Sequence, residues 1–212
     1  MQFKVLSIQT KMKQELETLQ EIRNLMERSS RFIGLSGWSG IAAGSCALIG
    51  AALAHPIVSN RLETRDYYSN SDLKTLLLIA LCTFVAALVS AFFFTYLKTK
   101  KANIPVLGKV SKRVTWTVTV PILVGGVFLL KLISWGFFGL VAPGCLIFYG
   151  IALFATGKQT VNETRYLAYC EMILGCIALF KIGYGLYFWA IGFGLFHILY
   201  GIRMWYKYER KS

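Results

Sequence analysis

The residues with chemistry to offer are the ionisable ones inside apolar runs. Glu171 falls in the run Tyr166 to Ile182, and His197 in the run Gly185 to Trp205. An ionisable side chain within a bilayer is expensive to keep and marks a site with a partner. A turn near Gly183 and Tyr184 makes the two runs an antiparallel hairpin. At about 1.5 Å of rise per residue, the carboxyl and the imidazole then lie at nearly the same depth. Such a pair titrates as a unit, able to respond to pH or relay a proton. The same pair equally serves as a hydrogen bond between helices, worth about 1 kcal/mol. Both roles stay open at this point.

No other constellation offers a reaction. Cys46, Cys82, Cys145, Cys170 and Cys176 all lie in apolar runs without a C-x-x-C pair or a second ligand set, so no metal is expected. The string Gly34-Leu35-Ser36-Gly37 matches the short serine motif of rhomboid proteases, but the surrounding histidines and asparagine are missing. With no nucleophile, base and orienter at compatible spacing, the expectation is a non-enzyme with no catalytic residues and no cofactor. Pro121 and Pro143, each beside glycines, predict kinks in the third and fourth membrane helices. Gly37, Gly40 and Gly44, with Gly125, Gly175 and Gly194, predict close packing between helices, because small residues let backbones approach. Lys131 and Lys181 are placed at helix ends, where they snorkel to the interface.

The elements that must position these residues follow from composition. The chain has 212 residues, 56% hydrophobic and 16% charged, against roughly 45–50% and about 25% for a soluble domain. A membrane helix needs about 20 apolar residues. Six stretches answer to that: Phe32 to Ala54, Thr75 to Leu97, Val114 to Ile133, Trp135 to Thr156, Tyr166 to Ile182 and Gly185 to Trp205. The expected fold class is all-α, a polytopic membrane bundle of six transmembrane helices. The net charge of +13 does not point to nucleic acid, since the basic residues sit in short clusters between apolar runs rather than along one face. Eighteen Lys and Arg fall on the side of the two termini and five on the other, which makes both termini cytoplasmic. No cleavable signal peptide is expected, because the first thirty residues are polar.

Residues 1–31 read as a cytoplasmic amphipathic helix, with Met12, Leu16, Leu19, Ile22 and Met26 on one stripe. Its opposite face mixes acidic and basic residues, which favours packing against another helix over lying on lipid. The expected partners are therefore the lipid bilayer, a second copy of the chain and, at residues 12–28, a protein. The membrane domain spans residues 32–205 and a basic tail residues 206–212. The connection His55 to Lys74 is expected to be a solvated loop. Gly125 and Gly175, Lys131 and Lys181, and Gly144 and Gly194 stand fifty positions apart, which suggests a repeated hairpin over 114–158 and 164–207.

The segment Leu19-Gln20-Glu21-Ile22-Arg23 through Met26-Glu27-Arg28-Ser29-Ser30-Arg31-Phe32, then Leu35-Ser36-Gly37 and Phe188-Trp189-Ala190-Ile191-Gly192-Phe193-Gly194, resembles a family of small six-helix bacterial inner-membrane proteins. That resemblance implies the bacterial inner membrane and no activity. The tight hairpins with Tyr-Gly-Ile near their cytoplasmic ends are also similar to the HdeD-type acid-resistance membrane proteins, which implies a stress role. The leading expectation is a regulatory or membrane-stress protein that self-associates through its N-terminal helix. The alternative is a small proton-linked transporter or ion channel using Glu171 and His197.

Overall fold

The computed structural model describes Met12 and residues 36–64, 68–101, 108–157 and 159–210. The expected N-terminal helix over residues 1–31, apart from Met12, lies outside the described residues, as do Lys158 and the last two residues of the tail. Among the described residues every regular element is helical. We number the long helices α1 (Gly37–Thr64), α2 (Asn70–Lys101), α3 (Lys109–Ser134), α4 (Val141–Ala155), α5 (Asn162–Leu179) and α6 (Gly185–Glu209). A 3₁₀ turn, Phe138–Leu140, leads into α4, and α6 is wound as π-helix over Ala190–Phe196 and Trp205–Glu209. The turns into the 3₁₀ segment and into α6 contain Gly136 at φ 81° and Gly183 at φ 101°, a conformation that a Cβ disfavours.

Five of these helices, counting the 3₁₀ turn with α4, are long and apolar enough to cross a membrane. The exception is α5, whose 18 residues include Glu163, Arg165 and Glu171. The centre of the bundle is the contact of α4 with α5 and α6, around Leu146, Leu153, Leu167 and Ala168. On one side α1 packs antiparallel on α6 and in turn carries α2; on the other, α3 packs on α4. The outermost helices leave long apolar faces uncovered, with Leu78, Leu81, Val89 and Phe92 on α2 and Leu123, Val127 and Leu130 on α3. Water would penalise such a belt at roughly 25 cal/mol per Å², whereas lipid tails do not. This is the surface expected of a multi-pass membrane protein.

Two local readings of the sequence differ from the structure. The connection expected as a loop from His55 to Lys74 is mostly helix: α1 continues through Pro56 to Thr64, and α2 begins at Asn70. Proline deprives the helix of one hydrogen bond without ending it here, and Ser59 Oγ donates to the Pro56 carbonyl at 3.3 Å. Pro121 lies in the interior of α3, where it leaves the Thr117 carbonyl without its helical donor. Pro143, expected as a kink, is instead the third residue of α4. The N–H groups of a first turn have no helical acceptor, so proline there starts a helix rather than bending it.

Candidate functional site

The buried stripe of α5 is Glu163, Thr164, Leu167, Ala168, Glu171, Gly175 and Ala178, spaced to fall on one face. Its deepest polar member is Glu171, fully buried, with neither carboxyl oxygen hydrogen-bonded. Oε1 stands 3.5 Å from Nδ1 of His197 on α6. The His197 ring is itself held at both nitrogens, by the Gly192 carbonyl at 3.1 Å from Nδ1 and by the Tyr149 hydroxyl of α4 at 2.8 Å from Nε2. A carbonyl only accepts, so Nδ1 carries a proton; in the neutral ring Nε2 accepts from Tyr149. The link from His197 back to residue 192 suits π-helical winding, in which each residue meets the one five before it.

Glycine at 192 is what allows this geometry. A Cβ there would collide with Glu171 Oε2 and with Leu146. The carboxyl is thus enclosed against the Gly192 backbone, with the His197 imidazole 3.5 Å away. A buried carboxylate without hydrogen bonds is strongly disfavoured, so this group is kept either as the neutral acid or facing an imidazolium. The arrangement can bind and release a proton. Among the described residues no group of three His, Cys, Asp or Glu could hold a metal ion.

Polar contacts continue along the α5 and α6 seam from here toward the end of the bundle that carries Lys98, Arg203 and Lys207, which we term the basic end. Tyr200, one turn after His197, meets Thr164 at 3.2 Å between hydroxyl oxygens. At the seam's end the Glu163 carboxylate accepts from Lys207 Nζ at 2.5 Å and from the Tyr208 hydroxyl at 3.0 Å. Glu163 precedes the expected span Tyr166 to Ile182. Its burial would raise its pKa, but the hydrogen bonds from Lys207, its own backbone and Tyr208 outweigh that and hold the carboxyl below its ordinary value.

Two further features fix α6. Glu209 accepts from the Gly37 N–H at 2.6 Å and pairs with Lys98 at 3.1 Å, joining the start of α1 and the end of α2 to the last turn of α6. Along α1, Gly37 and Gly40 meet Gly201, and Gly44 meets Gly194. Gly125 faces Phe148 and Gly175 faces Ile147, so each glycine singled out from the sequence lies against a neighbouring helix. The fifty-residue correspondence between Gly125 and Gly175 is not matched in their contacts: the first faces across its own hairpin, the second faces the preceding one. At the opposite end a shallow cavity of about 370 Å³ is lined by Lys181, Tyr184, Tyr187, Phe188 and Ile191.

Glu171 and His197 were legible as a pair from depth alone. Gly192, Gly201, Tyr149 as the partner of His197, and the Glu163 and Glu209 contacts were not singled out. The only sequence signal for Gly192 is its spacing of five from His197, which is meaningful only in a π-helical turn. No protein-family model matches the chain, and no curated protein or solved structure is similar to it at a significant level.

Proposed function

We propose that this chain is a six-span membrane protein of the bacterial inner membrane, with both termini cytoplasmic, that senses protons through Glu171 and His197 and acts in regulation or stress response. The supporting observation is the fully buried Glu171 carboxyl, without a hydrogen bond and 3.5 Å from His197. In this reading α5 is the sixth span, and its polarity is the cost of carrying the sensor. The ionisable groups facing the pair are Tyr149 from α4 and Tyr200 from α6, with Glu163 two turns away on α5. From α1, Gly37, Gly40, Ile41, Gly44 and Leu48 pack on α6, and the ionisable His55 meets Tyr187 of α6 at 3.0 Å, beyond the apolar side of the pair.

Sensing is favoured over transport because an apolar layer separates the pair from the far end, where His55, Lys181, Tyr184 and Tyr187 lie. Beyond Gly192 the neighbours are Leu146, Leu174, Phe193 and Trp189. Glu171 protonation changes the charge of a site shared by α4, α5 and α6, and so biases how those three helices pack. The N-terminal helix is the expected output, through self-association or a bound protein.

The test is reconstitution in liposomes under a pH gradient, with thermal stability measured in parallel between pH 8 and 5. The sensor reading predicts a silent bilayer and a pH-dependent stability that Glu171→Gln flattens. Steady proton flux abolished by Glu171→Gln would replace the sensor with a transporter. Unchanged pH dependence in that variant would end the proton-linked reading.

A further inference from the structure

Glu171 is sealed differently on its two sides. Toward the turn between α5 and α6, Leu146 and Leu174 crowd Gly192, and Phe193 lies between Trp189 and His197, with ring centroids 5.2 and 5.9 Å away. Leu146, Leu174, Phe193 and Trp189 carry no group that exchanges protons readily; beyond them lie His55 with Tyr187, at 3.0 Å, and Lys181. Toward the basic end the seam holds Tyr149 and Tyr200 against the same cluster of Leu153, Leu167 and Ala168, then the Thr164 and Tyr200 contact, then Glu163 with Lys207 and Tyr208.

Resting on the proton-binding role proposed above, we infer that Glu171 exchanges its proton with the basic end alone, along the hydroxyls of Thr164, Tyr200 and Tyr149, with His197 as the last carrier. Glu163, Lys207 and Tyr208 form the mouth. Each hydroxyl takes a proton on its oxygen as it releases its own, so the side chain ends unchanged. Tyr149 gives a proton to His197 Nε2, which makes an imidazolium. Nδ1, already shared between the Gly192 carbonyl at 3.1 Å and Glu171 Oε1 at 3.5 Å, then releases its proton to the carboxylate. The result is a neutral acid and a neutral ring whose Nδ1 has transiently lost its donation to the Gly192 carbonyl, with one proton moved from solvent to Glu171; when Glu171 returns a proton to Nδ1 and Nε2 releases one to Tyr149, the ring regains its resting tautomer.

The charged and titratable groups along this path come from three helices. They are Tyr149 and the Cys145 thiol of α4, Glu163 and Glu171 of α5, and His197, Tyr200, Lys207 and Tyr208 of α6. From α2, Lys98 pairs with Glu209 of α6 at 3.1 Å. The positioning residues are thus Thr164 and Tyr200, which hydrogen-bond to each other at 3.2 Å and act by carrying the proton between the mouth and Tyr149.

The experiment follows the infrared carbonyl stretch of protonated Glu171 in the full chain held in nanodiscs, after a rapid change from H₂O to D₂O buffer. The band is assigned by its loss in Glu171→Gln. Tyr200→Phe and the smaller change Thr164→Val are each expected to slow its isotope shift by at least about tenfold, as expected when a positioned proton carrier is removed. Trp189→Phe, at the sealed side, leaves the rate unchanged. Wild-type exchange rates in both Tyr200→Phe and Thr164→Val, or a faster rate in Trp189→Phe, would overturn the route while leaving the site intact. A band that survives Glu171→Gln would instead overturn the reading on which the route rests.

Discussion

At the residue scale the central object is one carboxyl that the fold leaves without a hydrogen bond. Because Glu171 and His197 face each other at 3.5 Å, Glu171→Gln and His197→Gln are expected to be non-additive in thermal stability, with a coupling of roughly 0.5–3 kcal/mol. Additive effects in a double-mutant cycle would mean that the pair does not interact. Gly192→Ala places a methyl against Glu171 Oε2 and Leu146. Overpacking of this kind costs about 1–3 kcal/mol, more than the helix gains from alanine, so the melting temperature is expected to fall. The meeting of Glu171 and His197 was readable from two numbers, their distances from a shared turn. Tyr149 and Gly192 were not, since the first depends on how α4 sits across the hairpin and the second on a π-helical turn. Neither leaves a periodic trace in the sequence.

At the scale of elements, charged residues at the basic end tie together the ends of helices that also pack along their lengths. Glu209 caps the first turn of α1 and pairs with Lys98 of α2. Glu209→Ala removes a cap worth about 1 kcal/mol and should lower the melting temperature in detergent. Restoration by Asp, the shorter cap, would be partial. Glu163 gives a pH signature of its own. Its carboxyl is held below the ordinary value by Lys207 and Tyr208, so the folded state binds its proton less readily than the unfolded chain. That stabilisation is present above about pH 4.3 and is lost as the pH falls through the lower, folded value. Glu163→Gln should therefore flatten the acid limb of a melting curve measured from pH 6 to 3; an unchanged limb would show that the pairing adds nothing. The helices themselves were legible because apolar runs are the strongest periodic signal a membrane chain has. Their ends were not: α1 runs through Pro56 to Thr64, beyond the residues whose hydropathy announces it. Pro143 looked like an interior proline only because the 3₁₀ turn Phe138–Leu140 is itself apolar.

At the scale of the whole molecule, an uncovered apolar belt over five helices long enough to cross a membrane marks a multi-pass membrane protein. Composition carried the multi-pass class, and no residue pattern carried the activity, since buried carboxyl groups serve structure and proton chemistry alike. Removing residues 1–28 should reduce the mass of any oligomer seen by light scattering in detergent while leaving the melting temperature of the bundle unchanged. An unaltered mass would remove self-association through that segment. The measurement that bears most directly on proton sensing is an infrared titration of the reconstituted chain from pH 8 to 5, comparing wild type with Glu171→Gln. Uptake of one proton by the Glu171 and His197 pair, visible as a growing carboxylic carbonyl band absent from the variant, is the expected result. A wild-type spectrum that gains no such band, or one identical to that of Glu171→Gln, would contradict it.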